Sequence, residues 1–143
     1  MPGVVWEAWG RPDAATQRID FVSDYVESML GYSVAEWLAS PNFWLTIVHP
    51  EDKERAARRA AEIFVNGQGG RNQFRWIAKD GRVVWVEAEA VVVCDAEGIP
   101  VGMRGVTIDI TERKRNEIRS AAFATLGDRL SSARTPRQAV TPF

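Results

Sequence analysis

Two tight-turn signals in the second half of the chain constrain the fold most. Asp80-Gly81 separates an alternating run, Asn72 to Ala78, from a longer one, Val83 to Cys94. Asp-Gly between apolar alternations is among the strongest short-range hairpin signals. A second turn, Asp95-Ala96-Glu97-Gly98, leads into a third run, Val101 to Ile110. Strands joined by such short turns pair antiparallel, because a parallel pair needs a crossover of a dozen residues or more. In the middle run Val84, Val86, Ala88, Ala90, Val92 and Cys94 share one face, and Trp85, Glu87 and Glu89 the other. One face is therefore read as buried and the other as outward.

The first half supplies two more strands and a helical insert. Val4 to Trp9 is rich in β-formers, and Gln17 to Ser23 alternates with Ile19 and Phe21 on one face. Gly10-Arg11-Pro12-Asp13 forms the loop between them. Tyr25 to Leu30 reads as a short helix stopped by Gly31. Ser33-Val34-Ala35-Glu36 is a capping box opening a second short helix, which Pro41 breaks. Phe43 to Val48 is a short apolar run of ambiguous type. His49-Pro50-Glu51-Asp52 opens the longest helix: proline suits the first helical position, and acidic residues favour a helix N-terminus. Ala56, Ala60, Ile63 and Phe64 make its apolar stripe, and Lys53, Arg55, Arg58 and Arg59 lie mostly opposite. Gly67, Gly69 and Gly70 end it. The order is two strands, helical insert, three strands and exit helix. That order gives an α+β fold with a five-stranded antiparallel sheet, the insert on one face.

Beyond Thr111 the chain changes character. Glu112 to Asn116 is charged and Glu117 to Leu130 reads as a helix, while Asp109, Thr111 and the first-turn Glu112 suit the N-terminus of that exit helix. Ile118, Ala122, Phe123, Leu126 and Leu130 make a partial seam that Arg119 interrupts, which argues against a coiled coil in isolation. The domain is placed at 1–114, and the helix and tail at 115–143. The tail from Ser131, with Thr135-Pro136 and Pro142, reads as weakly ordered.

Composition narrows the function classes. With 143 residues, the chain has enough length for one core. Lys and Arg total 18 against 19 Asp and Glu, a net charge of −1, which argues against a dedicated nucleic-acid binder. The basic group Lys53, Arg55, Arg58 and Arg59 is read as a solvated helix face. One cysteine and one histidine exclude an intrachain disulfide and any metal site built on several of either. No run reaches the ~20 apolar residues of a membrane span, and the start lacks a signal-peptide pattern, so the reading is cytoplasmic without direct membrane contact.

Three stretches carry a family resemblance: Leu30-Gly31-Tyr32-Ser33-Val34-Ala35-Glu36-Trp37, Trp44 to Asp52 with its His49-Pro50-Glu51-Asp52, and Asp109-Ile110-Thr111-Glu112-Arg113-Lys114. Lys79-Asp80-Gly81 followed by Trp85-Val86-Glu87 fits as well. In order and over roughly Val4 to Lys114, they resemble a PAS domain of the kind common in bacterial sensor proteins. Leu126 to Pro136 looks like the opening helix of a GAF domain. The resemblance implies a sensory and interaction module, not an enzyme, inside a larger signalling protein. A sensor histidine kinase is the leading parent; a cyclic-dinucleotide enzyme or phosphatase is the alternative. It also implies a ligand held between sheet and helices, a homodimer, and an effector domain in the same parent chain. A change in the sheet would pass through the helix after Thr111. A dimerisation scaffold with a filled core is the rival reading.

Candidate pocket residues are Ile63, Phe64, Phe74, Trp76, Val86, Ala88 and Met103, because the alanines of the inward strand face leave room beside them. The six tryptophans, Trp6, Trp9, Trp37, Trp44, Trp76 and Trp85, are read first as packing residues. Asp109, Thr111 and Trp85 are the relay candidates, with Trp85 on an exposed outer face. His49 is read as a helix-start residue and not a haem ligand, since Asp52 to Asn66 carries no histidine. Met29 and Met103 are read as core fillers rather than axial ligands. Cys94 lies at a strand end, and Phe43 stands where light-oxygen-voltage domains resemble this chain but carry the adduct-forming cysteine. A covalent flavin adduct is thus disfavoured, while a non-covalent flavin or a small apolar metabolite remains open.

Overall fold

The Asp80-Gly81 turn closes as a hairpin. Gly81 takes φ +93°, Ala78 N donates to Arg82 O at 2.8 Å, and Gly81 N donates to Ala78 O at 2.9 Å. The computed structural model describes residues 3–133, with side chains up to residue 126. The elements run β1 (Gly3–Trp9), β2 (Arg18–Val22), α1 (Tyr25–Leu30), α2 (Val34–Ala39), α3 (Phe43–Thr46) and α4 (Pro50–Asn66). Then follow β3 (Gly70–Ile77), β4 (Val83–Cys94), β5 (Pro100–Asp109) and α5 (Thr111–Ala133).

The strands form one antiparallel sheet in the order β2-β1-β5-β4-β3. The two halves of the chain meet where β1 pairs with β5, from Gly3 opposite Ile108 to Trp9 opposite Gly102. The insert α1 to α4 buries Val26, Leu30, Trp37, Ala56 and Ala60 with Phe74, Trp76 and Val86 of the sheet. The rings of Tyr32, Trp37, Phe43 and Trp76 meet mostly edge-on, at centroid distances of 5.0–6.5 Å. Each such contact adds about 0.5–1.5 kcal/mol beyond area burial.

Local signals explain the insert. Gly31 ends α1 in the left-handed region at φ +83°. Ser33 Oγ accepts from Glu36 N, and Glu36 Oε1 accepts from Ser33 N, both at 3.0 Å. That hydrogen bonding, joined by Lys79 at 2.9 Å, holds the Glu36 carboxyl below its usual pKa. His49 caps α4, its Nδ1 accepting from Glu51 N at 3.1 Å.

Helix α4 also closes the free edge of β3. Arg59 Nε donates to Arg71 O at 3.0 Å, Arg55 Nη1 to Gln73 O at 2.8 Å, and His49 N to Arg75 O at 2.8 Å. Open edges invite pairing with other chains, and charged side chains laid on them block it. The basic helix face expected to be solvated therefore has two of its arginines tied to strand carbonyls.

Other expectations change in detail. Phe43 to Thr46 forms a single helical turn, α3. β3 begins two residues earlier, at Gly70, and Gln17 precedes β2. Cys94 is exposed at the end of β4, beside a register shift at Val93/Cys94. The exit helix begins at Thr111 with Glu112 in its first turn, as those residues implied, and the charged stretch belongs to it. Glu117 pairs with Arg113 at 3.8 Å and Lys114 at 3.4 Å, one turn back along α5. The compact unit carrying the sheet ends at Ile110, and α5 belongs to a second unit. Residues 134–143, with most of the tail and the end of the GAF-like stretch, lie outside the described residues. Among the described residues no helix is long and apolar enough to cross a membrane.

Candidate ligand cavity beneath the sheet

Sheet register builds the floor of a cavity. Asn72, Ala88 and Thr107 are partners across β3, β4 and β5, so they form one row on the inner face. The neighbouring row is Gly70, Ala90, Gly105 and Trp6. Small residues dominate both rows, and Ala88 remains half-buried where Val86 and Ala90 on the same strand face are buried. Gly105 is required by close approach: a Cβ there would fall 2.5 Å from Trp6 Cζ2 and 2.6 Å from Glu89 O. With no side chain at Gly105, the Trp6 indole lies across it and donates from Nε1 to Thr107 Oγ1 at 3.0 Å.

Ala60 and Ile63 of α4, Trp37, Trp44, Pro12 and Gln17 complete an enclosure of about 60 Å³. None of its lining residues carries a titratable side chain. Three polar side chains border it, each at least 95% buried: Gln17, Asn72 and Thr107. Asn72 Nδ2 donates to Ala56 O in α4 at 3.0 Å. Asn72 Oδ1 and Gln17 Oε1 have no hydrogen-bond partner. A buried acceptor without a partner is costly and uncommon, and such a group calls for a donor from outside the protein, such as a bound water.

Five of the seven expected pocket residues line this space: Ile63, Phe74, Trp76, Ala88 and Met103. Phe64 and Val86 do not. Phe64 is buried in the cluster with Ile63, Ala90 and Met103, and Val86 is fully buried in the main core. Trp6, Trp37, Trp44 and Trp76 line it as well. Trp9 instead donates to Asp20 Oδ2 at 2.7 Å. Sequence reasoning missed Gln17, Asn72 and Thr107. Asn72 falls in phase with Phe74 and Trp76, so a polar residue on the inward face of a strand was the available sign.

His49 serves the start of α4, and Met29 is buried in the core. Among the described residues no three His, Cys, Asp or Glu side chains gather to hold a metal.

Trp85 is half-buried rather than exposed, because the Arg75 guanidinium lies over its ring at 5.3 Å. Arg75 also ties α4 to the sheet. Asp52 Oδ2 accepts from Arg75 N and Nε at 2.9 Å, Oδ1 accepts from Nη2 at 2.7 Å, and Glu51 Oε1 accepts from Nη2 at 3.0 Å. The Arg75 hydrogen bonds hold the Asp52 carboxyl below its ordinary pKa and push the guanidinium further up. Trp85 O accepts from Ile110 N at 2.8 Å. Asp109 ends β5 opposite Val86, and Thr111 starts α5. A continuous set of contacts thus runs from α4, a wall of the cavity, to the residue before α5.

A family model described as the PAS fold matches residues 19–107. The chain belongs to the PAS fold family. It is 31% identical over 103 residues to the methyl sulfide methyltransferase-associated sensor of Methanosarcina acetivorans, covering 69% of this chain and 10% of that protein. The N-terminal domain of a diguanylate cyclase with a PAS/PAC sensor from Marinobacter aquaeolei superposes with TM-score 0.69 at 24% identity, covering 78% of this chain and 98% of that one. A sensory box histidine kinase/response regulator from Burkholderia thailandensis E264 also gives 0.69, at 19% identity, covering 90% and 92%. At these identities the structures share the PAS fold. The chain spans about a tenth of the length of the Methanosarcina sensor. The PAS unit is a sensory module, and its homologues stand in sensor proteins.

Proposed function

We propose that this PAS module works in the cytoplasm as the input part of a larger signal-transduction protein of the sensor histidine kinase kind. Its catalytic effector lies in the same parent chain. The observation that carries the reading is the cavity with two unpartnered buried acceptors under a sheet whose last strand continues directly into α5. Occupancy of the cavity shifts α4 against β3. The Asp52–Arg75–Trp85 contacts pass that shift to Ile110, and Asp109 and Thr111 deliver it to α5. A preference of a few kcal/mol between two arrangements suffices to alter an effector. The similarity to a sensory box histidine kinase supports the effector type. The likeness to a PAS domain of a diguanylate cyclase favours a cyclic-dinucleotide enzyme as the second reading.

The module works as a homodimer through the outer face of the sheet. Val5, Phe21 and Val91 are exposed there, and Arg104 pairs with Glu7 among them. Exposed apolar surface of this kind marks interaction sites.

The test joins residues 1–126 in register to the catalytic core of a characterised histidine kinase. Autophosphorylation of this fusion is compared with that of the Ala88→Leu form, whose cavity is filled. A change of several-fold supports the reading. Equal activity, with both forms folded and the fusion active, contradicts it.

A further inference from the structure

The chemistry of the cavity wall specifies the class of ligand, an inference that rests on the sensory reading above and narrows it. The volume, about 60 Å³, lies far below the 300–1,000 Å³ of pockets that hold drug-sized ligands. The space between these walls is far smaller than a three-ring flavin or a haem. The lining offers no charge to a metal ion or an anion, and an unpaired ion buried there would lose its hydration without compensation. The polar groups are specific in sense. Gln17 Oε1 and Asn72 Oδ1 are acceptors in want of donors. Thr107 Oγ1 already accepts from Trp6, which leaves its hydroxyl hydrogen to donate.

We propose that the cavity binds a small uncharged organic molecule, a short apolar body carrying a hydroxyl or amide-type donor, which satisfies Gln17 Oε1 or Asn72 Oδ1. The apolar body lies over Ala88 and Ala90, between Ile63 and Phe74. Asn72 gives the site its connection to the fold: its Nδ2 holds Ala56 of α4, so a donor arriving at Oδ1 loads the same side chain that ties helix to sheet. A ligand of about five heavy atoms binds no tighter than on the order of micromolar, and a range from there to millimolar suits a molecule sensed at metabolic concentration.

The test uses two isomers of one formula, butan-1-ol and diethyl ether. They match in size and apolar content, but only the alcohol donates a hydrogen bond. Chemical-shift titration of the full chain is expected to show butan-1-ol bound at cavity residues at least tenfold tighter than diethyl ether. Gln17→Leu combined with Asn72→Leu is expected to bring that ratio close to one, with far-ultraviolet circular dichroism unchanged. If the double variant fails to fold, Ala88→Leu serves instead: it is expected to abolish binding of both isomers. Equal binding of the isomers by the wild-type chain overturns the donor requirement. Failure of both to bind overturns the ligand class and leaves buried water as the partner of the two acceptors. These outcomes stand apart from the kinase fusion, which reads the effect of filling the cavity without any alcohol. The fusion can respond while butan-1-ol fails, and the reverse.

Discussion

Asp52 shows how one side chain joins a helix to a sheet. It lies in the first turn of α4, where a carboxylate suits the helix dipole, and it accepts three hydrogen bonds from Arg75. Its folded pKa is depressed, so its contribution to stability is full above the unfolded value of about 3.9 and is lost as pH falls through the folded one. Melting temperature measured from pH 7 down to pH 2 is therefore expected to fall less steeply below pH 4 in Asp52→Asn than in the wild type. Parallel curves would mean that the pair contributes no pH dependence. Asp52→Ala removes three of the hydrogen bonds of Arg75 and leaves it with Glu51, and is expected to cost about 2–3 kcal/mol in urea denaturation. Gly105 poses the opposite problem, a lack of space. Gly105→Ala is expected to displace the Trp6 indole from Thr107, destabilise by about 1–3 kcal/mol and shift Trp6 fluorescence. Residue-scale roles were legible where they are local. Ser33-Glu36 and His49-Pro50 announce caps by spacing alone. Gln17 was not legible, because it sits in a loop and its place beneath the sheet is set by distant residues.

At the scale of elements, hairpins and the long helix were readable because turn chemistry and hydrophobic period are local properties. The register rows were not. That Asn72, Ala88 and Thr107 share a row depends on how three strands align, and nothing short-range in the sequence states it. The closing of the β3 edge by Arg55 and Arg59 was hidden for the same reason, since a basic helix face looks alike whether it meets water or carbonyls. Replacing both with alanine removes two charge-assisted hydrogen bonds from exposed positions. The expected loss is about 1–2 kcal/mol of stability, together with faster exchange of β3 amides and a rise in aggregation. Unchanged β3 exchange would show that the arginines are incidental. The start of α5 at Thr111 was legible from Thr111 and the first-turn Glu112, which suit a helix N-terminus, and Glu117 pairs one turn back with Arg113 and Lys114 to support the charged stretch as helix.

At the scale of the whole molecule, exposed apolar groups among the described residues cluster on two surfaces, while Leu38, Val65, Val83 and Ile99 are exposed elsewhere. One is the outer sheet face with Val5, Phe21 and Val91; the other is α5 with Ile118, Phe123 and Leu126. Sedimentation equilibrium is expected to show a dimer, and Phe21→Glu with Val91→Glu to weaken it at least tenfold. A monomeric wild type would leave the outer face without its assigned partner. The family was readable from four short stretches in order, whereas the cavity needed the fold that brings Gln17, Asn72 and Thr107 together. In the proposed mechanism the state of the cavity sets the state of the exit helix. Amide hydrogen exchange followed by mass spectrometry, wild type against Ala88→Leu, tests it most directly. Filling about 60 Å³ stabilises by about 1 kcal/mol if the leucine packs, so the variant remains folded. The expected result is altered exchange at Ile110 and through the first turns of α5, beyond that at the cavity wall. Changes confined to α4, β3 and β4, with α5 exchanging as in the wild type, would contradict it.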